Sequence, residues 1–287
     1  MITKKPLFAG KLYPNSLKAL EEDIISSFNE DLGPGETPSI RKEKKIFGAI
    51  VPHSKYEESG QCAAWAYKEI AEGKPAETYI IVGPNHNGVG PEFSTYLFAN
   101  WETPFGIFNI DKSLGLKLNS LFSKMRNETT AHSDEHSVEV QLPFLQYANL
   151  DKIKEIKFVP VVVSCSDYKD CRRLGECIAE ASEGKQVCLV ASSDFVKHGS
   201  VLGISGSDIK SKDEKVFEFI RKMDGKSFLN HIFENNLEMC GASAITIVME
   251  ACKVLGAKQG RLLQYYTSLD IKKGSEKIKG YCSFVFE

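Results

Sequence analysis

Two of the six histidines in this 287-residue chain stand where ligands and chemistry gather rather than where packing alone would put them. His53 closes the run Phe47-Gly48-Ala49-Ile50-Val51-Pro52-His53, and His86 closes Tyr79-Ile80-Ile81-Val82-Gly83-Pro84-Asn85-His86. Both runs are apolar and β-branched, the pattern of parallel strands buried on both faces. In an open α/β sheet, ligands sit just outside the carboxyl ends of such strands. Two imidazoles delivered there by separate strands could hold a metal or carry a proton.

Three further segments carry reactive types. Ser192-Ser193-Asp194-Phe195-Val196-Lys197-His198 follows another apolar run, and Asp194 reads equally as a local backbone cap or as a ligand or its orienter. Cys240, in Met239-Cys240-Gly241-Ala242-Ser243-Ala244, opens a helix. A helix N-terminus favours the thiolate, which binds metals or attacks carbonyls, and small neighbours admit a close approach. The other reading of Cys240 is an ordinary buried thiol. In His132-Ser133-Asp134-Glu135-His136-Ser137-Val138-Glu139-Val140-Gln141-Leu142-Pro143, a helix starting near His136 puts Glu139 and Val140 one turn along on the same side. The segment is not H-E-x-x-H, which excludes the zincin pattern, and it is either a capped helix start or a pocket wall.

The elements that must position these residues alternate along the chain. Periodicity and turn residues predict helices over 16–28, 59–72, 111–125, 137–147, 167–182, 211–236 and 241–256. Strands are expected over 46–51, 78–82, 93–98, 106–110, 158–163, 186–191, 261–266 and 280–286, with a turn at Trp101-Glu102-Thr103-Pro104. Pro160 argues that strand 158–163 starts there or lies at an edge. This alternation over residues 1–287 predicts one α/β domain with a central mixed, largely parallel sheet flanked by helices.

Composition narrows the function classes. Hydrophobic residues make up 42% and charged residues 26%, ordinary for a soluble globular chain. A net charge of −2 and a pI near 6.3 give no electrostatic case for nucleic acid or an anionic membrane. No apolar run reaches the roughly 18–20 residues needed to cross a bilayer, and the start lacks the apolar region of a signal peptide. The eight cysteines include no C-x-x-C pair and read mostly as small buried hydrophobes of a reducing cytoplasm.

Taken together, the blocks resemble a known family. They are Ala9-Gly10-Lys11-Leu12-Tyr13-Pro14, Pro52-His53 with Ser59-Gly60, Gly83-Pro84-Asn85-His86-Asn87-Gly88, and Trp101-Glu102-Thr103-Pro104-Phe105-Gly106. Glu135–Pro143, Ser192-Ser193-Asp194-Phe195, Met239-Cys240-Gly241 and Tyr265-Tyr266-Thr267-Ser268 complete them. In this order they resemble the Memo-like proteins, also called AmmeMemoRadiSam system protein B, over nearly the whole chain.

The resemblance implies a fold like that of class III extradiol dioxygenases and a non-haem metal site. Its ligands would be His53, His86 and Cys240, and its metal Fe(II) or, given the softer thiolate, copper. Asp194, His136 and His198 would be the catalytic groups. Lys55, Tyr56, Asn85, Glu139 and Lys197 would line the pocket of a small-molecule or peptide ligand, anionic because of the two lysines. Family usage also implies radical-SAM and AMMECR1-like partners in a modification pathway.

The chain departs from the family pattern twice. His53-Ser54-Lys55-Tyr56 stands for the usual His-Ala-Gly-Tyr, and Lys197 stands where a histidine usually follows the aspartate by three. The functions to weigh are therefore metal binding in redox or modification chemistry, extradiol-type ring cleavage, and a metal-free protein that binds peptide or uses Cys240 as nucleophile with His53 or His86 as base.

Overall fold

The computed structural model describes residues 2–198, 206–271 and 278–287. From the N-terminus come β1 (Thr3–Lys4), α1 (Leu17–Asn29), β2 (Gly48–Val51), α2 (Tyr56–Glu72), β3 (Thr78–Pro84) and β4 (Phe93–Thr95). Next are β5 (Asn100–Thr103), β6 (Gly106–Ile110), α3 (Lys112–Leu121), β7 (Arg126–Asn127), α4 (Gln141–Ala148), β8 (Lys157–Val163), α5 (Tyr168–Ala181) and β9 (Val187–Ser192). The rest is β10 (Lys197–His198), α6 (Gly206–Arg221), α7 (Gly225–Glu234), α8 (Ala242–Leu255), β11 (Gly260–Thr267), α9 (Ser268–Ile271) and β12 (Ile278–Phe286).

Among the described residues these strands form one 12-stranded sheet whose main path is β1-β5-β6-β8-β3-β9-β2-β12-β10. The central run β6-β8-β3-β9-β2 is parallel, and β12 joins β2 antiparallel. The predicted mixed, largely parallel α/β sheet is therefore the architecture found. Alternate residues of each central strand feed opposite cores, because successive side chains leave a strand on opposite faces. Ile80 and Val82 of β3 enter one core with α5 and α8, while Tyr79 and Ile81 enter the other with α1 and α2. That double burial is why the strands read as unbroken apolar runs.

Local chemistry sets most boundaries close to expectation. Ser16, Asp111 and Asp167 cap α1, α3 and α5 by accepting from the amides of Ala19, Leu114 and Asp170.

Four expectations need correction. The helix predicted over 137–147 begins only at Gln141. Pro143 has no N–H to offer the Glu139 carbonyl, so it fits the first helical turn but not an interior. The single helix over 211–236 breaks into α6 and α7, where Met223 takes a φ of 52° and Asp224 caps Ser227. The supposed turn at 101–104 is mostly β5, with buried Trp101 opposite Phe108 in a hairpin.

Pro160 lies inside β8, opposite Ile81 of β3. Its neighbour two back, Phe158, accepts from the Asp111 amide, so Pro160 turns its nitrogen to that same side. There pairing passes from β6, ending at Phe158, to β4, which starts at Val161, and no ladder bond is lost.

Candidate metal centre

The order of the sheet builds the site. β3, β9 and β2 are neighbours and parallel, so their carboxyl ends deliver His86, Asp194 and His53 to one rim. Cys240 arrives from the loop before α8, beside β9. Gly241 is needed there because a Cβ would lie 2.4 Å from Ser193 Cβ and 2.8 Å from the Ser192 carbonyl oxygen. The donor atoms of His53, His86 and Cys240 lie within 4.8 Å of one another. A tetrahedral ion with bonds of about 2.0–2.3 Å spaces its ligand atoms roughly 3.5 Å apart, so this donor set fits a metal with little movement.

Hydrogen bonds fix which ring nitrogen of each histidine faces the site. The Ser192 hydroxyl donates its one proton to the Ser137 carbonyl at 2.6 Å. It must therefore accept from Gln141 Nε2 at 2.9 Å and from His53 Nδ1 at 3.0 Å. The Gln141 amide is oriented by donating to the Pro52 carbonyl and accepting from the Tyr67 hydroxyl. His53 Nε2 is thus left with its lone pair, 3.2 Å from Cys240 Sγ. In parallel, His86 Nδ1 lies 2.9 Å from Glu135, whose carboxylate also accepts from the amides of His86 and Ser137. Metal-binding histidines commonly donate their other ring N–H in this manner.

Burial and charge tune the same groups. Burial keeps His53 below the ordinary imidazole value, against the pull of Asp194 and Glu135. Burial also lowers His86, but its bonds to Cys240 and Glu135 outweigh this and raise it to about 9. Glu135 is held down at about 2, since the His86 contacts overcome its burial. His136 stacks on His86 with ring centroids 4.6 Å apart, and burial together with His53 and His86 lowers it to about 4. It is a neutral base at pH 7. His86, Glu135 and His136 also cluster within 4.8 Å, but the Glu135 oxygens are already committed to hydrogen bonds.

These groups wall a cavity of about 340 Å³, with Lys55, Lys197 and Lys279 around its more exposed parts. Asp194 lines it too, but its oxygens accept from the amides of His53 and Ser54, the Ser54 hydroxyl and Lys279. It holds the loop that carries His53. Burial raises Asp194, yet His53 and Lys279 bring it to about 2.

Other expected residues lie elsewhere. His198 turns away to Asp213, 3.1 Å distant, which also receives the Tyr265 hydroxyl, so it does not take the place of an acid/base histidine in the cavity. Glu139 is a buried acceptor for the amides of Leu7 and Phe8, the Tyr13 hydroxyl and Lys4. Tyr56 donates to the Val140 carbonyl within the core. Asn85 lines an adjoining cavity that shares Cys240. Lys279, Ser192 and Glu135 were not singled out from the sequence. Glu135 could have been, as an acid beside His136; Lys279 carried no signal.

The model of the Memo-like protein family matches residues 4–285. The chain belongs to that family. Relatives named MEMO1 family proteins include those of Methanopyrus kandleri, 34% identical with 99% of this chain and 98% of theirs aligned, and Methanococcus vannielii, 35% identical with 97% and 98% aligned. A Pyrococcus furiosus member is 31% identical over 98% of each chain. A crystal structure of an uncharacterized protein from Escherichia coli K12 matches with a TM-score of 0.52 over 85% of this chain and all of that one. Its 13% identity makes it evidence for the fold alone. Within the Memo-like chain, no helix among the described residues is long and apolar enough to cross a membrane.

Proposed function

We propose that this Memo-like protein binds a transition metal through His53, His86 and Cys240 and uses it in redox or modification chemistry. The observation that carries the reading is the pair of second hydrogen bonds, from His53 Nδ1 to Ser192 and from His86 Nδ1 to Glu135, which leave His53 Nε2 3.2 Å from Cys240 Sγ and hold His86 within the same donor cluster. Two imidazoles and a thiolate suit Fe(II), and the sulfur also suits copper. A metal held there would supply Lewis acidity and an electron-transfer centre. The chain's own part is to orient the rings, keep Glu135 ionised, and hold the His53 loop through Asp194.

An extradiol-type activity is the second reading, favoured by His136. The His136 imidazole stacks on His86 and lines the cavity, and burial with its two histidine neighbours keeps it unprotonated, so it is placed to accept a hydrogen bond from a bound hydroxyl. Elemental analysis of anaerobically purified protein, with His86→Ala and Cys240→Ala beside it, tests the metal reading. Near-stoichiometric iron or copper that disappears in both variants is expected. No metal after reconstitution with Fe(II), Cu(I) and Zn(II) would leave only the Cys240–His53 pair, whose 3.2 Å contact suits a thiol nucleophile and its base. Oxygen consumption with catechols then separates the dioxygenase from a metal-binding role.

A further inference from the structure

Lys197 and Lys279 sit directly opposite each other across the antiparallel β10–β12 pair. Neither backbone N–H serves the other strand at this point. Lys197 donates to the Glu238 carbonyl at 2.9 Å, and Lys279 to the Ser268 hydroxyl at 3.2 Å. This is the closely spaced, non-hydrogen-bonded kind of cross-strand pair, with both side chains on one face. Like charges placed so are destabilising. Both lysines nevertheless line the cavity that holds His53, His86 and Cys240, and Lys55 lines it as well.

Two acids, Asp194 and Glu58, line the same cavity, and Glu58 accepts from the Tyr281 hydroxyl at 3.3 Å, so the three lining lysines exceed the lining carboxylates by one. Lys279 Nζ spends two contacts on Ser54 Oγ at 2.7 Å and Asp194 at 3.2 Å, so one of its three N–H groups is left for the cavity. Asp194 is shared with two amides and a hydroxyl. Lys197 meets Glu238 at 3.4 Å and Lys55 meets Glu57 at 3.8 Å, and both carboxylates are about three-quarters exposed. Ion pairs of that kind contribute little.

We propose that the Lys197–Lys279 pair is an oxyanion seat. It takes the carboxylate or phosphate group of a small-molecule ligand whose other end lies against the His53–His86–Cys240 cluster. The proposal rests on the reading of this cavity as the protein's ligand site. An oxyanion between two ammonium groups turns their repulsion into charge-assisted hydrogen bonds. At about 340 Å³ the cavity is near the small end of ligand pockets, which suits a compact anion.

Isothermal titration of the purified full-length protein with inorganic phosphate, and separately with acetate, tests it, with metal content measured on every sample. Wild type should bind at least one anion, more weakly as salt rises, and the preferred anion identifies the head group. Lys197→Gln and Lys279→Gln should each weaken binding about tenfold, the worth of one charge-assisted hydrogen bond, and Lys197→Gln, whose side chain meets exposed Glu238 rather than Ser54 or Asp194, should leave metal content unchanged. Chelator-treated, metal-free wild type should keep the anion, because the lysines and not the metal hold it. Undiminished binding in Lys197→Gln, no binding at millimolar anion, or loss of the anion from metal-free wild type would overturn the seat. Anion binding by a protein that takes up no metal would uphold the seat and remove the metal reading alone.

Discussion

Replacing Ser192 by alanine removes one buried oxygen and disturbs three partners at once. The Ser137 carbonyl, the His53 Nδ1–H and one N–H of Gln141 all lose their bond. Ser192 is fully buried, so bulk water cannot replace it directly. A buried polar group left unmet costs about 1–3 kcal/mol, and partial relaxation brings three of them to about 3 kcal/mol in total. For a chain of this size that is a fall in melting temperature of about 6 °C. The larger consequence concerns the metal. Without the Ser192 acceptor, the His53 proton is free to reside on Nε2, where it blocks ligation. Loss of such a supporting hydrogen bond typically costs 10–100-fold in metal affinity. Competition titration with a chromogenic chelator measures the affinity, and calorimetry the stability. Ser283→Ala is the control, because its buried hydroxyl bonds the Cys62 carbonyl outside the cavity. It should lower stability and leave affinity alone. Metal affinity within twofold of wild type in Ser192→Ala, with the melting temperature lowered, would refute the tautomer argument.

Two other outcomes follow from the packing and the buried charges. Gly241→Ala forces a Cβ to within 2.4 Å of Ser193 Cβ, and overpacking of this kind costs about 1–3 kcal/mol; metal content should fall as Cys240 is displaced, and wild-type content with wild-type stability would show that the contact is soft. His132 lies buried against Trp101 and Tyr96, and burial lowers it from 6.5 to about 4. The unfolded chain then takes up a proton between those values that the folded chain refuses, so stability falls as pH drops from about 6.5 to 4, by up to about 3 kcal/mol. His132→Leu should flatten this acid limb in urea titrations, leaving the part due to His136; parallel curves for mutant and wild type would rule out the assignment.

Much of the fold was legible because its signals are local. Strands buried on both faces cannot alternate with polar residues, so β3, β8 and β9 announced themselves as apolar runs. Caps such as Ser16, Asp111 and Asp167 act on amides three residues away and could be read in place. The misreadings came where tertiary pairing overrode local pattern. Pro160 looked like an edge residue, but its nitrogen faces the one gap between two strand partners. The segment before α4 looked helical, yet Glu135, Ser137 and Glu139 are bound to distant backbone.

The sequence alone determined that His53 and His86 end buried parallel strands, that Cys240 precedes a helix, and that these belong to one α/β layer. Their types and positions along the chain are properties of the strand and helix periods. Only the tertiary structure decided that β9 lies between β3 and β2, which converges three strand ends on one rim. It also decided that Lys279, more than 200 residues from Ser54, reaches the same cavity, while His198, one residue past Lys197, leaves it for Asp213. Neighbouring residues on a strand point to opposite faces, and which face borders a cavity is set by the strands beside it.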